Sequence, residues 1–172
     1  PKVKYVLGDI RNKDDVLKVC FGQDLVFHVA ALKRIDAMEK NVEQCIKTNV
    51  LGTINVVDGV LEQGVQYCVF SSTDKACLPI NAYGASKYIS ERLMLSKNAE
   101  QDVTKFGVYR CGNVLGSRGS AIIDFIHSLK NGEVNITDKR MSRLWIPIES
   151  AVDFMLDTYK HAHPNDVMIP KM

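Results

Sequence analysis

The chain has 172 residues, a formal net charge of +2 and 24% charged side chains. This length is enough for one domain with a sizeable core. The near-neutral charge gives no indication of a nucleic-acid or membrane-surface partner, and no apolar run approaches the roughly 20 residues of a membrane-spanning helix. We therefore expect a cytoplasmic protein that binds neither nucleic acid nor membranes.

Strand-like and helical segments alternate along the chain, which predicts an α/β protein with a parallel sheet and crossover helices. The predicted strands are residues 3–7, 25–29, 67–71 and 106–110, with short strands at 134–136 and 143–146. The predicted helices are residues 14–20, 42–61, 83–97, 122–129 and 148–161, and a polar loop is predicted at 33–40. This order is typical of a Rossmann-like, doubly wound parallel sheet.

A dinucleotide-binding sheet normally has a glycine-rich turn after its first strand, and no such turn occurs near the start of this chain. We therefore expect residues 1–132 to form a partial dinucleotide-binding domain that lacks its first strand and glycine loop. The pattern changes after Gly132, so residues 133–172 are expected to begin a smaller substrate-binding lobe. The chain opens directly ahead of the predicted strand 3–7 without a Met, and it ends at residues 169–172, where the pattern predicts the beginning of another strand. We therefore interpret the chain as an internal piece of a longer polypeptide.

The cysteines and histidines give no indication of a metal centre. The five cysteines are odd in number and form no Cys-x-x-Cys pair, which favours reduced thiols. The four histidines have no metal-ligand spacing with one another or with the cysteines. We predict no metal site.

The densest group of reactive side chains follows the predicted strand 67–71. Thr73, Asp74 and Lys75 stand at its carboxyl end, where open α/β sheets bind ligands. Tyr83 and Lys87 lie four residues apart on the next helix, and therefore on the same face. A lysine ammonium there is expected to lower the pKa of Tyr83 and make it a base for an alcohol oxidised by a nicotinamide. The alternative is a chance pair on an amphipathic helix, preceded by a solvated turn.

A glycine cluster lies between the strand 106–110 and the next helix. Gly112, Gly116 and Gly119 resemble a phosphate-binding turn in context, but their spacing is G-x-x-x-G-x-x-G. Asn113 and Arg118 place an amide and a guanidinium in the same loop, a combination that suits the diphosphate of a substrate better than a cofactor. A plain surface loop is the alternative interpretation.

Taken together, these motifs resemble those of the extended short-chain dehydrogenase/reductase family. Within that family they are most similar to the inverting UDP-N-acetylglucosamine 4,6-dehydratases of polysaccharide biosynthesis. The resemblance rests on residues 8–11, 28–33, 45–49, 72–75, 79–87, 112–120 and 136–141. Thr-Asp-Lys at 73–75 is its most specific part, since hexose dehydratases usually have Thr-Asp-Glu. The run 34–36 and Val42 depart from the family pattern.

The resemblance implies roles for individual residues. The implied catalytic residues are Thr73, Asp74, Lys75, Tyr83 and Lys87. The implied cofactor-binding residues are Asp9, Ala30, Ala31, Lys33, Asn49, Ser72, Tyr83 and Lys87. The implied substrate-binding residues are Lys47, Asn113, Arg118 and Arg140. The expected cofactor is NADP, with NAD as the alternative; the expected ligand is a UDP-sugar, and the expected assembly is a homo-oligomer.

The implied reaction removes water from the sugar and inverts C5. Tyr83 would take the proton of the 4-hydroxyl, with Lys87 holding the cofactor ribose. Lys75 would remove the C5 proton, provided that burial or Lys87 lowers its pKa, and Asp74 would protonate the leaving 6-hydroxyl. Two alternatives remain open: a UDP-sugar 4-epimerase, which needs Tyr83 and Lys87 but neither Asp74 nor Lys75, and a non-catalytic nucleotide-binding regulatory module.

Overall fold

The computed structural model describes residues 3–117, 119–134, 136 and 138–172. The strands are β1 Leu25–His28, β2 Tyr67–Thr73, β3 Lys105–Cys111, β4 Asn113–Val114, β5 Trp145–Ile146 and β6 Val167–Met168. The helices are α1 Lys13–Cys20, α2 Ile35–Lys40, α3 Val42–Cys45, α4 Gly52–Glu62, α5 Ala82–Glu100, α6 Ala121–Leu129 and α7 Ile148–His161. A π-helical segment, Ile46–Leu51, joins α3 to α4, and a 3-10 turn, Asp74–Ala76, follows β2.

The main sheet has the described strand order β1-β2-β3-β6, and each of its described pairings is parallel. The central strands are short, apolar and covered on both faces, as buried parallel strands are. Cys68 and Phe70 of β2 pack in one core with Val60 of α4 and Met94 of α5. Val69, whose side chain points to the opposite face, belongs to a second core with residues of α7. Helices on both faces confirm the predicted doubly wound α/β fold.

The strand predicted at residues 3–7 does not form. Its alternating apolar residues favour a strand, but a strand requires a neighbour for its N–H and C=O groups. No described residue pairs with this segment, and Val3, Tyr5 and Leu7 are 74%, 92% and 101% exposed. The sequence pattern therefore records a strand preference that has no pairing partner within the described part of the chain.

Three further predictions of local structure require correction. The predicted polar loop 33–40 contains α2, whose Met38 is buried and whose Asp36 and Lys40 suit the helix dipole. Val134 and Ile136 are not in a strand, and Asn135 lies outside the described residues. The strand predicted at 143–146 is limited to β5, because only there does it pair with β4.

The helix predicted at residues 42–61 is interrupted by the π-helical segment. The carbonyl oxygen of Asn49 in that segment accepts hydrogen bonds from the hydroxyls of Thr53 and Ser90, each at 2.7 Å. These two side chains satisfy a carbonyl group where the regular α-helical pattern changes. The segment also places the Asn49 side chain towards α5.

The predicted division into residues 1–132 and 133–172 stays a prediction. In the structure α7 packs against β2 and β3, and β6 pairs with β3. The residues after 133 therefore include two elements, α7 and β6, that belong to the main sheet or pack on it. The β4–β5 ribbon is a separate two-stranded sheet.

Candidate active site

The site is built where the carboxyl end of β2 meets the beginning of α5. The Asn81 side chain caps α5 by accepting a hydrogen bond from the Gly84 N–H at 2.8 Å. Gly84 then packs directly on the 3-10 turn, and a Cβ atom added to it would collide with the carbonyl oxygen of Lys75. This close approach requires a glycine, and it brings Tyr83 next to Thr73.

Asp74 and Lys75 form a contact pair at the mouth of the site. Lys75 Nζ lies 2.9 Å from Asp74 Oδ1 and 3.1 Å from Asn113 Oδ1. Thr73 Oγ1 donates to the same Asp74 oxygen at 2.9 Å. Both charged side chains are about one quarter exposed, at 26% each. An acid and an amine are thus held together where a substrate could reach both.

Asn113 belongs to this group in the structure. Its amide nitrogen donates to the Leu144 carbonyl at 3.3 Å, so its oxygen is oriented towards Lys75. The sequence assigned Asn113 to the UDP end of the substrate. The structure instead places it against the amine of Lys75, and its assignment to the substrate stays a prediction.

Lys87 is buried behind Tyr83, with 3% of its surface exposed. Its Nζ atom lies 3.9 Å from the centre of the Phe70 ring, a cation–π contact. Burial lowers the pKa of Lys87 to about 7, against the opposing effect of Glu91. The Lys87 amine therefore gains and loses its proton near neutral pH, and it has little hydration to lose when a ligand binds.

The expected lowering of the Tyr83 pKa is wrong for this structure. Burial raises the pKa of Tyr83 to about 12, and the hydrogen bond to the Thr73 side chain only partly opposes that rise. Desolvation disfavours the charged tyrosinate, and the nearby Cys111 and Asp74 raise the pKa of Tyr83 further. Tyr83 is thus a neutral phenol at neutral pH in this structure.

Asn49 fixes the loop after β1 against α5. Its Oδ1 accepts from the Leu32 N–H at 2.8 Å, and its Nδ2 donates to the Leu32 carbonyl at 2.9 Å and to Ser86 Oγ at 3.0 Å. Asn49 therefore bonds to neighbouring backbone in this structure, and its implied role in cofactor binding stays a prediction. Ala30 is exposed and Ala31 half-buried in the same loop, and Lys33 Nζ lies 3.2 Å from Ser117 Oγ.

Several predicted site residues pair locally and do not join this group. Asp9 forms a two-pronged contact with Arg11, which lowers the pKa of Asp9 to about 2. Lys47 pairs with Glu43 at 2.6 Å, and Arg140 pairs with Asp138 at 2.6 Å. Arg118 lies outside the described residues. The binding roles of these residues stay predictions.

Comparison with known proteins identifies the family of the chain. The model of the polysaccharide biosynthesis protein family matches residues 1–172. The chain belongs to this family.

Two curated proteins are similar to this chain over almost its whole length. It is 43% identical, over 100% of its length, to UDP-N-acetylglucosamine 4,6-dehydratase (inverting) of Campylobacter jejuni serotype O:2, and covers 53% of that protein. It is 39% identical to a UDP-glucose 4-epimerase of Rickettsia conorii, covering 99% of this chain and 51% of that one. The predicted resemblance is confirmed, and the chain spans about half the length of these relatives.

Solved structures share the fold. Pen from Bacillus thuringiensis superposes with a TM-score of 0.94 at 38% identity, covering 98% of this chain and 52% of that one. A dTDP-glucose 4,6-dehydratase from Streptomyces venezuelae, solved with NAD bound, superposes with a TM-score of 0.86 at 21% identity, covering 94% and 56%. The second likeness shows the fold alone.

Sequence reasoning missed one part of the site, a buried ionic cluster behind Lys87. Arg110 Nε and Nη2 donate to the two carboxylate oxygens of Glu91 at 2.8 and 2.6 Å, and Ser72 Oγ donates to the same carboxylate. A spacing signal was available, because Glu91 follows Tyr83 and Lys87 at intervals of four residues.

Across the described residues, no helix is long and apolar enough to cross a membrane.

Proposed function

We propose that the full-length protein is a nucleotide-sugar 4,6-dehydratase that removes water from UDP-N-acetylglucosamine, inverts C5 and yields a 4-keto-6-deoxy sugar for surface or flagellar glycans. The observation that carries this proposal is the contact of Lys75 Nζ with Asp74 Oδ1, beside Tyr83 at the carboxyl end of β2. The reaction needs an acid and a base next to an alcohol-oxidising tyrosine, and this edge of the sheet supplies all three.

The residues of this edge fit a nicotinamide cofactor, NADP or alternatively NAD. Lys87 presents a buried amine that makes no hydrogen bond to another described side chain, next to a loop that Asn49 holds in place. Ligands of open α/β sheets bind outside the carboxyl ends of the strands, where this group lies. When bound, the nicotinamide would supply oxidation at C4 of the sugar and reduction at C6.

The chain's own residues would move the protons. Tyr83 takes the proton of the 4-hydroxyl as a tyrosinate, a form that a cationic Lys87 beside it would favour before the transfer, and becomes the neutral phenol. A neutral Lys75 removes the proton at C5, which the 4-ketone has made acidic, while Asp74 gives a proton to the departing 6-hydroxyl, which leaves as water. A solvent-derived proton delivered to C5 from the opposite face would complete the product with C5 inverted. Asn113, whose oxygen lies 3.1 Å from Lys75 Nζ, orients the amine for this step.

The epimerase relatives support a second candidate, a UDP-sugar 4-epimerase. Epimerisation at C4 requires Tyr83 and Lys87 and makes no use of an acid and a base at C5 and C6. The Asp74–Lys75 pair, with its fixed partners Thr73 and Asn113, favours the dehydratase. The higher identity to the dehydratases, 43% against 39%, supports the same choice.

The finer points of the proposal are a cytoplasmic location and a homo-oligomeric state. Apolar side chains on the outer surfaces of the π-helical segment and α5 support an assembly, with Ile46 and Ile89 46% and 50% exposed. Light scattering of the purified full-length protein tests this. A particle of one chain's mass would contradict the assembly.

Product analysis tests the proposed reaction. We expect the full-length protein, incubated with UDP-N-acetylglucosamine and either NADP or NAD, to form a sugar nucleotide lighter by one water. A product of unchanged mass with a new configuration at C4 would support the epimerase instead. If no product forms with either cofactor, both enzymatic proposals fail and the protein is a non-catalytic nucleotide-binding regulatory module.

A further inference from the structure

Glu91 is a carboxylate in the interior of the protein, with 1% of its surface exposed. Its two oxygens accept the paired hydrogen bonds of Arg110, and one of them also accepts from Ser72. A buried carboxylate is stable only when it is paired and fully hydrogen-bonded, as it is here. The Arg110 side chain is 18% exposed, so the cluster reaches from the core towards the surface.

The cluster joins α5 to the two central strands, β2 and β3. Glu91 lies on α5, one helical turn after Lys87 and two turns after Tyr83, on the same face. Ser72 and Arg110 are direct partners in the register of β2 and β3. The carboxylate of Glu91 therefore fixes α5 to the ends of the two central strands, directly behind the reactive groups.

We propose that Ser72, Glu91 and Arg110 form a positioning unit in which Glu91 orients the Ser72 hydroxyl and supplies the negative charge that balances the buried Lys87 ammonium. Glu91 is a positioning residue, since it acts through Lys87 and Ser72. The proposal rests on the proposed function, because it concerns the same tyrosine–lysine pair.

The charges around Lys87 support this assignment. Burial disfavours the ammonium, and Glu91 is the strongest of the opposing influences on the Lys87 pKa. The Cys111 thiol of β3 acts in the same direction as Glu91 but more weakly. His28 of β1 faces Lys87 as a neutral ring, since burial and Lys87 lower its pKa to about 3. Glu91 is thus the described carboxylate on which the charge of Lys87 depends most.

The test is a titration of Lys87 that does not require turnover. The full-length protein is labelled with 13C-lysine, and the Lys87 signal is identified as the one lost in Lys87→Met. We expect Glu91→Gln to move the Lys87 midpoint about one pH unit lower, because a neighbouring charge is removed and Arg110 is left unbalanced. The pH limb of dehydration on which Lys87 must be protonated should move by the same amount. Glu62→Gln, which changes a surface partner of Lys13, is the matched control and should move neither.

A second variant keeps the proposal testable should Glu91→Gln fail to fold. Arg110→Gln leaves the Glu91 charge unbalanced, so the Lys87 midpoint should rise. A purely structural cluster would lower stability in both variants and leave both midpoints in place, which would overturn the proposal. Because the titration is measured without substrate, an absent dehydratase activity together with shifted midpoints would contradict the proposed function and leave the charge balance established.

Discussion

Lys87 is held in the folded protein at an electrostatic cost. Its pKa falls from the ordinary 10.5 to about 7 because its amine is buried against the Phe70 ring. The unfolded chain therefore binds this proton more tightly between pH 7 and 10.5. The free energy of unfolding should rise with pH across that window, and the burial of Lys87 should lower stability at neutral pH.

Replacing Lys87 with Met should stabilise the protein and abolish turnover. Methionine fills a similar volume and has no ammonium that must be desolvated, while Glu91 keeps its pairing with Arg110, so the free energy of unfolding at pH 7 should rise by at least about 1 kcal/mol. Urea unfolding at pH 7 measures the gain, and the product assay measures the loss. A less stable variant, or one that still forms product, would show that Lys87 is a structural residue.

At the scale of elements, the site depends on the contact between α5 and the turn that follows β2. Gly84 has no room for a side chain there, since a Cβ atom would strike the carbonyl oxygen of Lys75. We expect Gly84→Ala to force the two apart, which should cost about 1–3 kcal/mol of stability and reduce turnover by displacing Tyr83 from Lys75.

Gly107→Ala provides the comparison. Its added Cβ would lie 3.4 Å from Thr158 Cγ2, an ordinary contact, so a small effect on unfolding and turnover is expected. Chemical unfolding and product formation of the two variants measure the difference. Equal losses of stability and turnover in the two variants would contradict the prediction, because they would show that the contact between α5 and the turn has no special role.

The sequence predicted the central elements well for a physical reason. β2, β3 and α7 are buried by neighbours that are themselves strongly patterned, so their periodicity and their packing agree. Residues 3–7 have an equally clear pattern, but pairing depends on a partner strand, which local sequence does not reveal. The π-helical segment was not predicted either, because one of the two hydroxyls that bond the Asn49 carbonyl belongs to Ser90, which only the fold brings close.

At the scale of the whole molecule, the buried His28 should make a large contribution to the loss of folding stability between pH 7 and pH 5. His28 Nε2 lies 3.0 Å from Thr53 Oγ1, and burial lowers the His28 pKa to about 3 from its ordinary 6.5. As the pH falls below 6.5, His28 becomes protonated in the unfolded chain but stays neutral in the folded protein. The free energy of unfolding should therefore decrease, by about 2 kcal/mol between pH 7 and 5 from this group.

His28→Gln separates this contribution from that of the carboxylates. Glutamine can place an N–H near the position of the imidazole Nε2–H, so the bond to Thr53 can be kept without a titrating group. Urea unfolding of the full-length protein at pH 7 and pH 5 should show a smaller loss in the variant by about 2 kcal/mol. An identical loss in both proteins would mean that His28 does not control it.

The parts of the site that could be predicted are those whose residues lie close together in the sequence. The sequence predicted a candidate group of Thr73, Asp74, Lys75 and the Tyr83–Lys87 pair because its members are contiguous or one helical turn apart. In the structure Thr73 contacts both Asp74 and Tyr83, and Asp74 contacts Lys75, while the catalytic roles stay predictions. The Tyr83 pKa was predicted to fall but rises instead, because desolvation depends on how deeply the folded site buries the phenol. Glu91 and Arg110 were missed because their contact joins a helix and a strand that are distant in sequence.

The central claim is that Lys75 exchanges a proton with C5 while water is lost. The most direct measurement incubates the full-length protein and its Lys75→Ala variant with UDP-N-acetylglucosamine and cofactor in heavy water, and follows the sugar by mass spectrometry and NMR. We predict that the unaltered protein forms a product that has lost one water and gained deuterium at C5, and that Lys75→Ala forms none. Loss of water without deuterium at C5, or full activity in the variant, would contradict the account.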